Sequence, residues 1–142
     1  MLMAEWHFYC EKSDPIPLPP AYSFPQAFNY LNEKGNSFHI LESLNGDYIQ
    51  CGGGRERCTV EIRRYSDQTR KSYKHVVVGI APISPENTPI EMSHAPVTVR
   101  SSEVLDRWQA IQLFDAFFHG RELPSWAQLR EMDISSGAVT SA

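Results

Sequence analysis

The sequence predicts an α+β fold: an antiparallel β-meander sheet with two main helices packed on one face. Three observations carry this. Between residues 37 and 81 apolar and polar residues alternate, punctuated by Asn45-Gly46 and Gly52-Gly53-Gly54, as in hairpin-linked strands with one wet face. Two other segments, 24–34 and 103–119, repeat their apolar residues at helical spacing. Finally, 142 residues with 42% hydrophobic and 21% charged side chains fit a single domain over 1–142, large enough to bury a core without metal or disulfide staples.

The first strand is read over residues 5–11, an aromatic-rich, β-favouring stretch. Pro15, Pro17, Pro19 and Pro20 follow. They lack the donors of a sheet and cannot enter a helix interior, so an extended polyproline-like connector is expected. Pro17 and Pro20 also make a formal PxxP, which reads better as a rigid loop than as a docking motif. A helix over 24–34 has Ser23 as cap, Pro25 in its first turn, Gly35 at its end, and Phe24, Ala27, Phe28 and Leu31 on its apolar face.

Phe38, Ile40 and Leu41 lead into Asn45-Gly46, the signal for a two-residue hairpin turn, and residues 47–52 form the return strand. In the next strand Cys58, Val60 and Ile62 share one face while Thr59, Glu61 and Arg63 share the other. A fourth strand is expected over 73–81. Residues 82–96, with Pro82, Pro85, Pro89 and Pro96, read as a loop, and residues 97–100 as a short edge strand. The best helix spans 103–119, capped by Ser102 and ended by Gly120, with Val104, Trp108, Ile111, Phe114 and Phe118 as its stripe. Leu123, Trp126 and Leu129 form the last apolar group, and residues 135–142 read as a frayed tail.

Charge is unevenly placed. The formal net charge is −4, yet residues 54–74 hold seven basic against three acidic side chains, a net of +4 on a remainder of −8. That disfavours a generally basic nucleic-acid binder. It leaves room for a local strip in which Arg55, Arg57 and Arg63 share parity beside Tyr65 and Tyr73 while Arg64 points away. Glu56, Glu61 and Asp67 interleave with that strip, so a solvated face with cross-strand ion pairs is the better reading. Cys10, Cys51 and Cys58 are an odd number without a CxxC pair, and no signal-peptide pattern or bilayer-length apolar run is present. Reduced thiols, a cytoplasmic location and no membrane partner are therefore expected.

Catalytic patterns are missing. None of His7, His39, His75, His94 and His119 has zinc-ligand spacing, and no nucleophile elbow, P-loop or dinucleotide fingerprint occurs. The run Gly52-Gly53-Gly54-Arg55 reads as turn or bulge glycines, not a phosphate cradle. No enzymatic activity, cofactor or metal is expected. His39 and His75 fall in strands and are read as able to share a sheet face; with Cys51 and Glu61 they are the residues a small-ligand or enzymatic alternative would need.

Residues 108–129 resemble the C-terminal part of Imm-type immunity proteins of bacterial polymorphic toxin systems. The matching residues are Phe117, Phe118, Gly120, Pro124 and Trp126, an amphipathic helix closing on paired aromatics, then a turn with Pro, then a Trp segment. Residues 47–50 and 59–63 are similar to that group's central sheet. The resemblance implies a non-catalytic cytosolic protein that binds a cognate toxin domain and blocks it, with no contact residue carried over. From the chain itself, the hairpin around Asp47 and Tyr48 and the loop with Arg55 and Glu56 are the candidate partner-binding positions, because turn tips reach outward. A nucleic-acid-binding module using the 54–74 strip, and a small-ligand or enzymatic domain, remain the alternatives.

Overall fold

The computed structural model describes residues 5–132. Seven antiparallel strands form one sheet in the order β2-β1-β3-β4-β5-β6-β9. They are β1 (Trp6–Cys10), β2 (Ser13–Pro17), β3 (Phe38–Ser43), β4 (Tyr48–Gly53), β5 (Cys58–Tyr65), β6 (Tyr73–Ile80) and β9 (Ala127–Glu131). Between β6 and β9 come a separate hairpin of β7 (Asn87–Ile90) and β8 (Val97–Arg100), a 3₁₀ turn (Ser101–Glu103) and helix α2 (Arg107–Phe118). A short helix, α1 (Pro25–Phe28), lies between β2 and β3. The expected α+β meander with helices on one face is the observed architecture.

One sheet face makes the core. Phe8, Leu41, Ile49, Cys51, Val60, Ile62 and Val78 are buried there against Phe24, Phe28 and Leu31 on one side and Leu113, Phe114 and Phe117 of α2 on the other. Aromatic rings join these layers edge to face: Phe114 lies 4.9 Å from Phe28 and 5.7 Å from Phe24, and Trp6 lies 5.6 Å from Phe117. Such pairs add about 1 kcal/mol each to their area burial. Gly120, with φ +65°, ends α2 as expected.

Several expectations are corrected, each by a specific competing interaction. The proline segment is a connector only beyond Pro17; Pro15 and Pro17 belong to strand β2, in which Phe8 pairs with Ile16 and His7 with Pro17. Leu18 N–H donates to Trp6 O, so donors at even positions face β1 while the prolines at 15 and 17 take the outer edge, where no donor is needed. The helix expected over 24–34 is only the four residues of α1, and Ser23 does not cap it. Asn32 and Asn36 exchange both backbone hydrogen bonds and the Asn32 side chain accepts from Lys34 N, a local alternative to helix that Asn side chains favour.

The Asn45-Gly46 turn is a three-residue connection. Ser43 N–H bonds Asp47 O, Gly46 N–H bonds Ser43 O, and only Gly46 takes positive φ, +98°, the geometry of a type I turn closed by a glycine bulge. Helix α2 starts at Arg107, not at 103. Leu105 and Cys58 exchange both backbone bonds at 2.8 Å, holding the chain extended up to Asp106. There Asp106 accepts from Gln109 N, and the Gln109 side chain accepts from Asp106 N, a reciprocal cap.

The buried stripe of α2 also lies to one side of the expected one. Trp108 is 53% exposed, whereas Ala110, Leu113 and Phe117 join Phe114 and Phe118 in the core. Within the expected loop 82–96, residues 87–90 pair with β8. Residues 127–131 form β9 beside β6, a strand that the apolar group Leu123, Trp126 and Leu129 did not announce; Leu129 itself is 53% exposed. The expected tail, 135–142, lies outside the described residues.

Candidate functional site

The β4–β5 connection builds one side of an open groove. Gly53 N–H donates to Ser37 O, Gly54 N–H to Arg57 O, and Arg55 O accepts from Arg107 N at the start of α2. Gly53 has φ +124°, and a β-carbon there would stand 2.5 Å from Arg57 O, so this tight tip requires glycine. The turn thus carries Arg55, Glu56 and Arg57 to the edge of a groove of about 830 Å³ that Glu33, Glu91 and Arg107 also line.

Those six charged side chains make no ion pair within 4.0 Å among the described residues. Arg57 donates to Pro89 O at 3.1 Å and Arg55 to Asn29 O at 3.4 Å. Arg107 lies over the Trp108 ring at 4.9 Å, with Nε buried and unbonded. The Glu33 carboxylate occupies the space beside Gly54 that a β-carbon would take. Three cations and three anions therefore face an open groove with their charges uncommitted to one another.

Asp47 and Tyr48 are not part of it. They stand at the other end of β4, so the four candidate residues occupy two places. Asp47 accepts from Tyr65 N at 2.8 Å and is held by the fold. Tyr48 belongs to a cluster on the sheet face opposite the core. There Arg63 lies 4.1 Å from the Tyr73 ring and 5.4 Å from the Tyr48 ring. Arg63 Nε donates to His75 Nδ1 at 3.1 Å, and His75 Nε2 meets Glu61 Oε1 at 2.7 Å. Arginine only donates, so Nδ1 is the acceptor and the proton of a neutral ring sits on Nε2. Burial, partly offset by the nearby Arg63 charge, holds the Tyr48 hydroxyl above its ordinary pKa.

The basic strip is thereby dispersed. Arg55 and Arg57 turn to the groove and Arg63 is stacked between tyrosines, while Arg64 points the other way and covers Phe117 at 4.6 Å. His39 and His75 do not share a face. His39 pairs with Cys51 and through it with Val60 on the core side, whereas His75 pairs with Arg63. Cys51 and Cys58 are buried free thiols, and burial together with the neighbouring Cys58 raises the Cys51 pKa well above its usual value. Among the described residues no group of three His, Cys, Asp or Glu side chains could hold a metal, and no helix is long and apolar enough to cross a membrane.

Sequence reasoning missed Glu33, Glu91 and Arg107. They come from three distant segments, and the pairing of Leu105 with Cys58 that brings α2 to the hairpin tip leaves no local pattern. The chain matches no family model, no curated protein and no solved structure.

Proposed function

We infer that the protein is an immunity protein of a bacterial polymorphic toxin system, which neutralises a cognate toxin domain by stoichiometric binding in the cytoplasm. The observation that carries this reading is the groove of three arginines and three glutamates that make no ion pair among the described residues. Open, mixed-charge surfaces gain most from a partner that brings both signs in a complementary arrangement, which protein segments do. Nucleic acid fits less well, because Glu33, Glu56 and Glu91 would stand against its phosphates. The surrounding excess of acidic residues also favours fast capture of a basic toxin.

Co-expression with the toxin encoded next to this chain tests the reading. Protection and a one-to-one complex are expected. An R55E/R57E double variant should weaken the complex about tenfold or more, through faster dissociation, and weaken protection, with circular dichroism confirming the fold. Toxicity that is not relieved, with no complex formed, would overturn it. Retention on single-stranded RNA at low salt, lost in R55E/R57E, would favour the nucleic-acid alternative instead.

A further inference from the structure

The outward face of the sheet contains a second cavity that the groove reading does not use. Met92 folds down onto β4, its terminal methyl and sulfur 3.0 Å from where a Gly52 β-carbon would stand. Beside it opens a cavity of about 260 Å³ whose walls are Phe38, Ile40, Met92 and Val97, with Gln50, Thr59 and Glu61 as polar members. Thr59 is only 4% exposed, and its hydroxyl finds no hydrogen-bond partner among the described residues. A buried hydroxyl without a partner is costly, and valine would fill the same shape without that cost.

Glu61 is held in place. Its Oε1 bonds His75 Nε2 at 2.7 Å, and His75 is fixed in turn by Arg63 at 3.1 Å. Its other oxygen accepts no hydrogen bond among the described residues, and the side chain is 26% exposed. Among the described residues Glu61 is the one charged side chain lining the cavity. The neighbouring cations give their direct contacts to other groups: Arg63 lies between two tyrosine rings, and Arg130 makes a two-point pair with Glu103 and attracts Glu61 only at longer range. A pre-positioned carboxylate, an unsatisfied hydroxyl and apolar walls together select a cation on an apolar stem.

We propose that this cavity binds a primary ammonium group on an alkyl or arylalkyl stem. Glu61 takes the charge, the Thr59 oxygen accepts a second ammonium proton, and Phe38, Ile40, Met92 and Val97 cover the stem. A free amine and the lysine side chain of a bound protein share this chemistry. The site shares no residue with the arginine–glutamate groove, so it stands whether or not that groove meets a toxin.

Amide NMR titration of the ¹⁵N-labelled chain with phenethylamine tests it. Saturable shifts around Ile40, Thr59, Glu61 and Val97 are expected, with Kd about 1 mM or tighter. Phenethyl alcohol, of the same shape without the charge, should bind about tenfold more weakly, as should phenethylamine to E61Q. T59V should bind several-fold more weakly and be at least as stable as the parent. V97W fills the cavity while keeping the Glu61 carboxylate and its His75 partner in the chain and should abolish binding, which keeps the test decisive if E61Q does not fold. Nα-acetyl-lysine N-methylamide, run in parallel, separates the sources: tighter binding than phenethylamine assigns the site to a partner's lysine, and weaker binding assigns it to a free amine. No saturable shift with either probe, equal binding of the alcohol, or undiminished binding to V97W would overturn the proposal.

Discussion

His39 lies in the core with each ring nitrogen 2.9 Å from a carbonyl oxygen, Nδ1 from Phe38 and Nε2 from Ala27. A neutral imidazole can donate to only one of them, and an imidazolium could donate to both. Burial nonetheless dominates the two hydrogen bonds and lowers the pKa from its ordinary 6.5. The unfolded chain therefore takes up this proton before the folded one does. His39 supports stability above pH 6.5, and that support is lost as pH falls through the lowered folded value. Urea unfolding at about pH 7.5 and about pH 5.5 should show a lower midpoint in acid, and H39Q, which keeps one donor without titrating, should lose less on acidification. An identical pH response in the variant would refute the assignment. The sequence placed His39 in a strand but not on a face, because Phe38, Ile40 and Leu41 put apolar residues on both parities of β3. Leu41 is buried with His39 in the core, while Phe38 and Ile40 are half-buried on the outward face.

At the scale of elements, β9 is secured by more than its ladder to β6. Arg130 donates to both oxygens of Glu103, at 2.6 and 2.9 Å, with the side chains 14% and 4% exposed. Glu103, expected as the first residue of the long helix, instead ties the 3₁₀ turn to the last strand. E103A leaves a guanidinium largely buried without its partner and should cost about 3 kcal/mol in urea unfolding. The apolar pair E103L/R130M should recover most of that loss, since it removes both charges. A cost below about 1 kcal/mol for E103A would place the pair with weak surface bridges. β5, with its period of two, and β6, with its run of valines, were legible. The end of α1 and the start of α2 were not, because each is set by a backbone exchange, Asn32 with Asn36 and Cys58 with Leu105, that local propensity does not encode.

For the molecule as a whole, the antiparallel meander and its helix-covered face could be read from the sequence, whereas the groove could not. Its lining gathers residues 33, 55–57, 91 and 107, and no spacing in the chain announces that they meet. The charge split of +4 on −8 and the opposite facing of Arg64 were visible, but the groove and the tyrosine sandwich were not. Strand parity separates Arg63 from Arg64, and the glycine tip turns Arg55 and Arg57 away from both.

The placement of Pro15 and Pro17 has a consequence for how molecules of this protein meet one another. Along the outer rim of β2 these two residues present carbonyls with no matching donors, so an approaching strand finds only half of a ladder. The sheet is chemically terminated there, and its growth by stacking of further chains is blocked on that rim. P15T/P17T would restore the missing donors without altering the side facing β1. The variant should self-associate at concentrations where the parent stays monodisperse in light scattering, and unchanged scattering would show that the rim is guarded by something other than proline. A solution of this protein is thus kept from polymerising, on one side at least, by the residues that look least suited to a β-strand.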